Sequence, residues 1–315
     1  MVLPTPDPPR LLLTVPDLCE QYRHHALTIR NVSAGHVDQQ LTYVKRLLDF
    51  LGLPRTAVSL RDVLNEEAIT AFLIDYAPRY GPESRRQMHV AVRTFLRFAY
   101  EERLMPLDLS AFVPTVRKRA MGHIPRALAG SCIAALESSI DRSCPAGRRD
   151  AAVICLLSTY GVRGIQIRRL CLEHVDWENG CIHFPAAKGG HPVKQHLTSK
   201  AGNRLADYIV DGRPQSPYRE VFLTLATATP LPDARVLWRM IDQRLRAARI
   251  SVPKNVSRGT NGFRHAFATR MTGKVPFKDV ADMLGHRSPS STLVYAKVDV
   301  QTLRQAALPW PGVSA

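Results

Sequence analysis

Acidic residues are scarce relative to basic ones in this sequence. Its 315 residues include 27 Asp and Glu against 43 Lys and Arg, a formal net charge of +16, and the pI is near 10.0. So large a basic excess indicates a polyanionic partner, and nucleic acid is the leading candidate. A basic protein that only resists aggregation is the simpler alternative.

Long apolar runs are absent as well, and no segment reaches the ~20 apolar residues that a membrane-spanning helix needs. The apolar stretch at 11–15 is too short for a signal peptide and is flanked by prolines and Asp17. We therefore expect no membrane partner, and a cytoplasmic protein associated with the nucleoid.

The six cysteines are spread along the chain, and no Cys-x-x-Cys pair occurs. Reduced thiols fit this distribution better than a disulfide framework. Cys171, His174, Cys181 and His183 match no common zinc ligand spacing, and the last two fall on a predicted strand. We expect neither a metal nor a cofactor.

The length fits two domains, and 45% hydrophobic with 22% charged residues is typical of a folded globular protein. Periodicity and capping residues predict four helices in the first domain, then helices and one β-hairpin in the second. The predicted segments are a flexible N-terminus 1–15, a helical domain 16–105, a linker 106–124, a second domain 125–297 and a tail 298–315. The predicted fold class is mainly α with a small antiparallel β-sheet.

The fourth helix, predicted near 83–103, carries basic side chains on one face. Arg86, Arg93 and Arg97 lie at i, i+7 and i+11, and such a row suits DNA backbone phosphates. A solvated basic face is the alternative. The linker adds a second basic group, Arg117, Lys118 and Arg119, which we also expect to contact DNA.

The second domain contains an ordered set of residues suited to phosphate chemistry: Arg163, Lys188, Arg264, His286 and Tyr295. Displacement at a phosphodiester needs a nucleophile in line, cations on the non-bridging oxygens and an acid for the leaving oxygen. Tyrosine can serve as the nucleophile and form a covalent phosphoester. This set therefore indicates covalent attack on a DNA phosphate.

Three segments resemble the tyrosine recombinases, or phage integrase family. They are Thr159-Tyr160-Gly161-Val162-Arg163, Phe263-Arg264-His265-Ala266-Phe267-Ala268-Thr269, and Leu284-Gly285-His286-Arg287-Ser288 followed by Tyr295. The resemblance implies that 125–297 is an α+β catalytic domain and that 16–105 is a DNA core-binding domain.

The resemblance also implies a role for each matching residue. Arg163 and Arg264 correspond to the arginines that clamp the scissile phosphate, His286 to the histidine that hydrogen-bonds it, and Tyr295 to the nucleophile. Lys188 corresponds to the lysine that protonates the leaving 5′ oxygen, with Lys194 on the next strand as the alternative.

Two positions depart from the family pattern. Asn261 stands where the family has a histidine assigned to proton transfer, and asparagine cannot exchange a proton near neutral pH. His265 is one candidate substitute, although a packing role is the alternative for it. Gln166 stands where the family usually has Glu, so it can hydrogen-bond but carries no charge.

These observations predict a site-specific recombinase that acts on double-stranded DNA through a 3′-phosphotyrosyl intermediate, for integration, excision or transposition of a mobile element. We expect a homotetramer on DNA, alone or with partner recombinases, with the tail exchanged between subunits or folded back on its own domain. A catalytically weak accessory subunit that binds DNA is the main alternative. A helix-turn-helix regulator would leave the catalytic set unexplained, and a type IB topoisomerase would relax DNA without a sequence requirement.

Overall fold

The computed structural model describes residues 12–53, 59–116, 127–187 and 190–286. The chain divides into two compact units, Met1–Ala120 and Met121–Ala315. Several predicted features lie outside the described residues. They are Arg117, Lys118, Arg119, Lys188, Tyr295 and the tail 298–315.

The N-terminal unit is helical. Its helices are α1 Val15–Thr28, α2 Ala34–Phe50, α3 Leu60–Val63, α4 Glu66–Tyr76 and α5 Pro82–Glu101. Four of them match the predicted helices, because their ends carry strong local signals. For example, the side chain of Asn65 accepts a hydrogen bond from the Ala68 amide at the start of α4, and proline occupies the first position of α5. The single turn α3 is too short to show a helical period.

The chain that follows α5 packs on the same unit. A 3-10 helix spans Leu109–Phe112, and Met105, Leu109 and Val113 are buried in the apolar core of the N-terminal unit. The first part of the predicted linker 106–124 therefore packs on this core. The sequence did not predict this packing, because the segment has no helical or strand periodicity. The domain boundaries drawn from sequence stay predictions.

The C-terminal unit is built around one buried helix. Its helices are α6 Gly130–Ser139, α7 Pro145–Tyr160, α8 Gly164–Arg168, α9 Ser199–Asp211, α10 Ala234–Ala247, α11 Thr260–Met271 and α12 Phe277–Met283. Every residue of α7 from Ala151 to Ser158 is buried, and α7 contacts α6, α9, α10 and α11. The predicted helices of the second domain that lie within the described residues are all present.

A three-stranded antiparallel sheet completes this unit, in the order β1 Val175–Asp176, β2 Cys181–Phe184 and β3 Val193–His196. The hairpin of β2 and β3 was predicted. Strand β1 was not predicted, because two residues are too few to show strand alternation. The fold class, mainly α with a small antiparallel β-sheet, is confirmed. Among the described residues, no helix is long and apolar enough to cross a membrane.

Candidate active site

The site is formed at the C-terminal end of α12. The Gly285 amide bonds to the Asp282 carbonyl and the His286 amide to the Ala281 carbonyl, while Gly285 has a φ of 61°. This is the Schellman arrangement, in which a left-handed glycine ends a helix. It turns the chain sharply, so the carbonyl groups of Leu284 and Gly285 and the His286 ring face neighbouring helices.

Arg264 of α11 is the buried centre of the site. Its side chain donates through Nη1 to the Gly161 carbonyl and through Nη2 to the Leu284 carbonyl, both at 2.9 Å. Nη2 also lies 2.7 Å from Nε2 of His286. The residue is only 6% exposed. Arg264 therefore joins the end of α7, the end of α12 and the histidine.

Arg163 approaches the turn after α12 from the α7–α8 junction. Gly161 ends α7 with a φ of 61°, and Arg163 is the N-cap of α8 two residues later. Nη1 of Arg163 lies 3.4 Å from the carbonyl oxygens of both Leu284 and Gly285. These acceptors are neutral, so they orient the guanidinium group without neutralising its charge.

His286 is neutral in this arrangement. Burial, then Arg264, then Arg163 lower the pKa of His286 from 6.5 to about 4. Because a guanidinium group only donates, Nε2 of His286 must be the acceptor and the ring proton must sit on Nδ1. Two cations and a neutral imidazole donor together can bind an anion.

The β2–β3 hairpin contacts the same turn. A Cβ added at Gly285 would meet Cγ2 of Val193 at 2.7 Å, and one added at Gly190 would meet the Gly285 carbonyl oxygen at 2.6 Å. Gln195 donates to the Met283 carbonyl at 3.4 Å. The hairpin therefore packs tightly against the residues that carry the site.

This packing bears on the choice between the two candidate lysines. Val193 and Gln195 contact the turn, and side chains alternate along a strand, so Lys194 lies on the opposite face of β3. Its cross-strand partner there is His183. Lys188 lies outside the described residues, but Ala187 and Gly190 on either side of it are linked by a backbone hydrogen bond of 3.0 Å, and Gly190 is next to Gly285.

The two departures from the family pattern occupy different environments. Gln166 in α8 is 2% exposed, whereas Asn261 is exposed near the start of α11, one turn before Arg264. His265 is partly buried, and burial followed by the charge of Arg264 lowers its pKa. The described residues thus bring Arg163, Arg264 and His286 together, with Asn261 on the helix that carries Arg264.

Comparisons with known proteins show which family the chain belongs to. Residues 131–302 match the phage integrase family. The chain is 33% identical over 295 residues to a Sinorhizobium fredii protein named integrase/recombinase y4rA, covering 93% of this chain and 70% of that protein. The chain belongs to the phage integrase family. It is therefore a tyrosine-type DNA recombinase, an enzyme that breaks and rejoins DNA strands.

More distant relatives have the same fold. The tyrosine recombinase XerD of Lacticaseibacillus casei is 27% identical over 241 residues, which cover 75% of this chain and 79% of that protein. The crystal structure of the XerH site-specific recombinase bound to palindromic difH substrate superposes with a TM-score of 0.68 at 18% identity, over 91% of this chain and 83% of that one. At this identity the likeness shows the fold alone.

The predicted DNA contacts of α5 have varied surroundings. Arg86 pairs with Glu83, and Arg93 donates to the Val113 carbonyl at 2.7 Å. Arg97 is exposed and, with Arg93 and Arg30, lines a cavity of about 300 Å³. The three arginines therefore share a helix of the recombinase, but Arg86 and Arg93 also bond to groups of the protein itself.

The backbone groups of the site were not among the predicted features. The carbonyl groups of Gly161, Leu284 and Gly285 orient both arginines. The available signal was Gly161 and Gly285. Each ends a helix in the left-handed conformation, which favours glycine. Within the described ranges, no three His, Cys, Asp or Glu side chains of the recombinase are grouped so that they could hold a metal ion.

Proposed function

We propose that this recombinase acts at a specific DNA site through covalent attack by Tyr295. The phenol oxygen forms a bond to phosphorus, the bond to the 5′ oxygen breaks, and the DNA 3′ phosphate remains on the tyrosine. The phenol gives up its proton to water, and the leaving 5′ oxygen takes one from Lys188. Attack by a 5′ hydroxyl of another strand reverses these steps and rejoins the DNA.

One observation carries this proposal: the guanidinium groups of Arg163 and Arg264 both contact the Leu284 carbonyl group, and Arg264 is also bonded to His286. Two guanidinium groups held by neutral acceptors favour an anion with several oxygens, such as a phosphodiester. The charge on the phosphate rises during attack, and preorganised donors stabilise that charge. Arg163 and Arg264 are assigned to the non-bridging oxygens, and His286 to a hydrogen bond with the same phosphate.

Double-stranded DNA is the proposed partner of both units. The net charge of +16 favours contact with the backbone, and Arg86, Arg93 and Arg97 of α5, with Arg117, Lys118 and Arg119, are assigned to DNA phosphates. We further propose a homotetramer on the recombination site, with or without partner recombinases, a role in moving a mobile element, and a cytoplasmic location on the nucleoid. The relative named integrase/recombinase y4rA supports the mobile-element role.

A catalytically weak accessory subunit is the second candidate. Asn261 favours it, because an exposed amide stands where proton transfer is expected, and loss of such a group typically costs about 10²–10⁴-fold in rate. Such a protein would bind its site specifically and salt-sensitively but form no covalent product.

Trapping on a nicked DNA substrate separates the two candidates. Loss of the short strand beyond the nick prevents rejoining, so the proposed enzyme accumulates a covalent protein–DNA product that survives denaturation. Tyr295→Phe should bind the DNA with the same affinity and give no product. Equal DNA binding by both proteins with no product from either would support the accessory subunit.

A further inference from the structure

Tyr160, the last residue of α7, contacts both strands of the β2–β3 hairpin. Its hydroxyl group donates to the His196 carbonyl at 2.9 Å and accepts from the Thr198 backbone N–H at 3.1 Å. Its ring packs against that of Phe184, with 5.4 Å between the ring centroids. Phe184 ends β2 and His196 ends β3, so one side chain touches the hairpin at two separate points.

The hydroxyl group of Tyr160 fits this position because it can both donate and accept. A carbonyl oxygen only accepts and a backbone N–H only donates, so the phenol must keep its proton to make both bonds. Tyr160 is 4% exposed, and burial raises its pKa above 10.0, an effect that the bond from Thr198 opposes. The phenol is therefore protonated at neutral pH, and both bonds form.

Tyr160 also lies beside the centre of the active site. The next residue, Gly161, ends α7, and its carbonyl group accepts from Nη1 of Arg264. The hairpin in turn packs on the turn after α12, where a Cβ added at Gly190 would meet the Gly285 carbonyl oxygen at 2.6 Å. Tyr160 therefore ties the hairpin to the helix end that anchors Arg264.

The connection between β2 and β3 contains Lys188, the proposed acid for the leaving 5′ oxygen. An acid must lie within hydrogen-bond reach of the atom that it protonates. We propose that Tyr160 is a positioning residue, which holds the hairpin at the end of α7 so that the acid carried by the hairpin reaches the leaving oxygen. This inference rests on the proposed function in one respect, the assignment of Lys188 as that acid.

Tyr160→Phe separates this role from simple packing. The phenylalanine ring can still pack on Phe184, but it offers neither a donor to His196 nor an acceptor to Thr198. Tyr208→Phe is the matched control, because Tyr208 is also a buried tyrosine of the C-terminal unit. Its hydroxyl group accepts from the Leu223 backbone N–H at 3.3 Å, in a loop outside the hairpin.

Two nicked DNA substrates that differ in one atom test whether Tyr160 acts through the acid. One has the ordinary bridging 5′ oxygen at the scissile phosphate, and the other has sulfur in its place. With sulfur, the bond from the Tyr295 oxygen to phosphorus forms, the phosphorus–sulfur bond breaks, and a thiolate leaves with the electron pair. A thiolate needs no proton to leave, because a thiol has a pKa of about 8.5, against about 15.7 for water, whose hydroxyl resembles that of an alcohol.

Single-turnover cleavage at neutral pH gives the expected pattern. Tyr160→Phe should cleave the oxygen substrate about 100-fold more slowly than the native enzyme, the cost of a misplacement of about 1 Å, and should cleave the sulfur substrate at the native rate. Lys188→Met should behave in the same way. Tyr208→Phe should match the native enzyme on both substrates, whereas Arg264→Lys should be slow on both, because the non-bridging oxygens are unchanged.

Two kinetic results would overturn the proposal. One is a native rate of Tyr160→Phe on the oxygen substrate, and the other is an equal loss of rate on both substrates, which would mean that Tyr160 acts on the site as a whole and not through the acid.

Hydrogen exchange tests the contact of Tyr160 with the hairpin independently of the chemistry. The Thr198 amide should be protected in the native protein and exchange faster in Tyr160→Phe but not in Tyr208→Phe. Exchange of this amide in the native protein at the rate of a solvent-exposed amide would also overturn the proposal. If the native enzyme forms no covalent product, or if sulfur does not restore Lys188→Met, the proposed function fails in that respect, and the exchange measurement still decides whether Tyr160 holds the hairpin.

Discussion

Arg264 and His286 are joined by a 2.7 Å hydrogen bond from a guanidinium Nη2 to an imidazole Nε2. The direction of this bond makes His286 a neutral ring with its proton on Nδ1. The same arginine is bonded to the carbonyl groups of Gly161 and Leu284. Arg264 thus adds to the effect of burial in keeping the histidine neutral, and it also links the end of α7 to the end of α12.

The first prediction concerns pH and stability. The folded-state pKa of His286 is lowered from 6.5 to about 4, so between these values the unfolded chain binds more protons than the native one. Stability should therefore be unaffected by this group above pH 6.5 and fall as the pH drops toward 4. The loss is at most about 3 kcal/mol, since one pKa unit corresponds to about 1.4 kcal/mol.

Urea unfolding at pH 7 and pH 4.5 measures this effect. His286→Gln should lose less stability between the two pH values than the native protein does, because glutamine has no proton to gain. His36→Gln, at an exposed histidine, is the control for loss of an imidazole. An identical pH dependence in native protein and His286→Gln would show that the ring is not held neutral.

The second prediction is that Arg264→Lys is not conservative. An ammonium group donates from one nitrogen and cannot reach the three acceptors that Nη1 and Nη2 share, and each lost bond to a charged donor costs about 1.5–3 kcal/mol. The free energy of unfolding should fall by about 2–3 kcal/mol and cleavage by about 10²–10³-fold. Arg239→Lys, at an exposed position of α10, should leave the free energy of unfolding unchanged. If Arg264→Lys and Arg239→Lys have the same free energy of unfolding, the hydrogen bonds of Arg264 do not stabilise the site.

The helices were predictable because their signals are local. Asn65 caps the start of α4 and Gly161 ends α7, and both residue types mark helix ends without tertiary information. The two-residue strand β1 and the packing of Leu109 and Val113 depend on long-range contacts that have no period in the sequence. The sequence therefore predicts most elements but not where the N-terminal unit stops packing.

The candidate site was predictable as residue types but not as a hydrogen-bond network. Arg163, Arg264 and His286 follow from motif order, and the structure brings them together. The bonds of Gln166 to Arg163 and Pro185 could not be predicted, because they join residues whose proximity depends on the fold. The placement of Lys194 on the opposite face of β3 could not be predicted either, because it follows from the register of that strand.

The third prediction concerns the contact between the hairpin and the turn after α12. Gly190→Ala places a Cβ 2.6 Å from the Gly285 carbonyl oxygen and 3.2 Å from that of Ala187. Backbone atoms cannot move aside cheaply, so the substitution should cost about 1–3 kcal/mol and displace the turn that carries His286. Thermal unfolding and cleavage rate should both report this.

A matched glycine gives the control. A Cβ at Gly130 would have nothing within 4 Å, and this glycine begins α6. Gly130→Ala should therefore be neutral or slightly stabilising and leave cleavage unchanged. If Gly190→Ala behaves the same way, the close packing of Gly190 on Gly285 has no consequence for the site.

The fourth prediction is a gain of activity at Asn261. This residue lies one helical turn before Arg264 on α11 and is exposed, so a histidine there can exchange protons on the side of the helix that carries Arg264. Asn261→His should speed formation of the covalent product by about 10²-fold, the low end of what general acid–base groups contribute. Asn261→Gln should show no gain, and an equal rate in both variants would mean that proton transfer is not the limitation.

The chemical identity of the covalent bond tests the central claim most directly. The covalent product from the nicked substrate can be digested with protease, and the DNA-linked peptide identified by mass spectrometry, while exonucleases determine which DNA end is blocked. The account predicts a phosphate ester at Tyr295 with a blocked 3′ end and a free 5′ hydroxyl on the released strand. A bond at any other residue, or a blocked 5′ end, would contradict it.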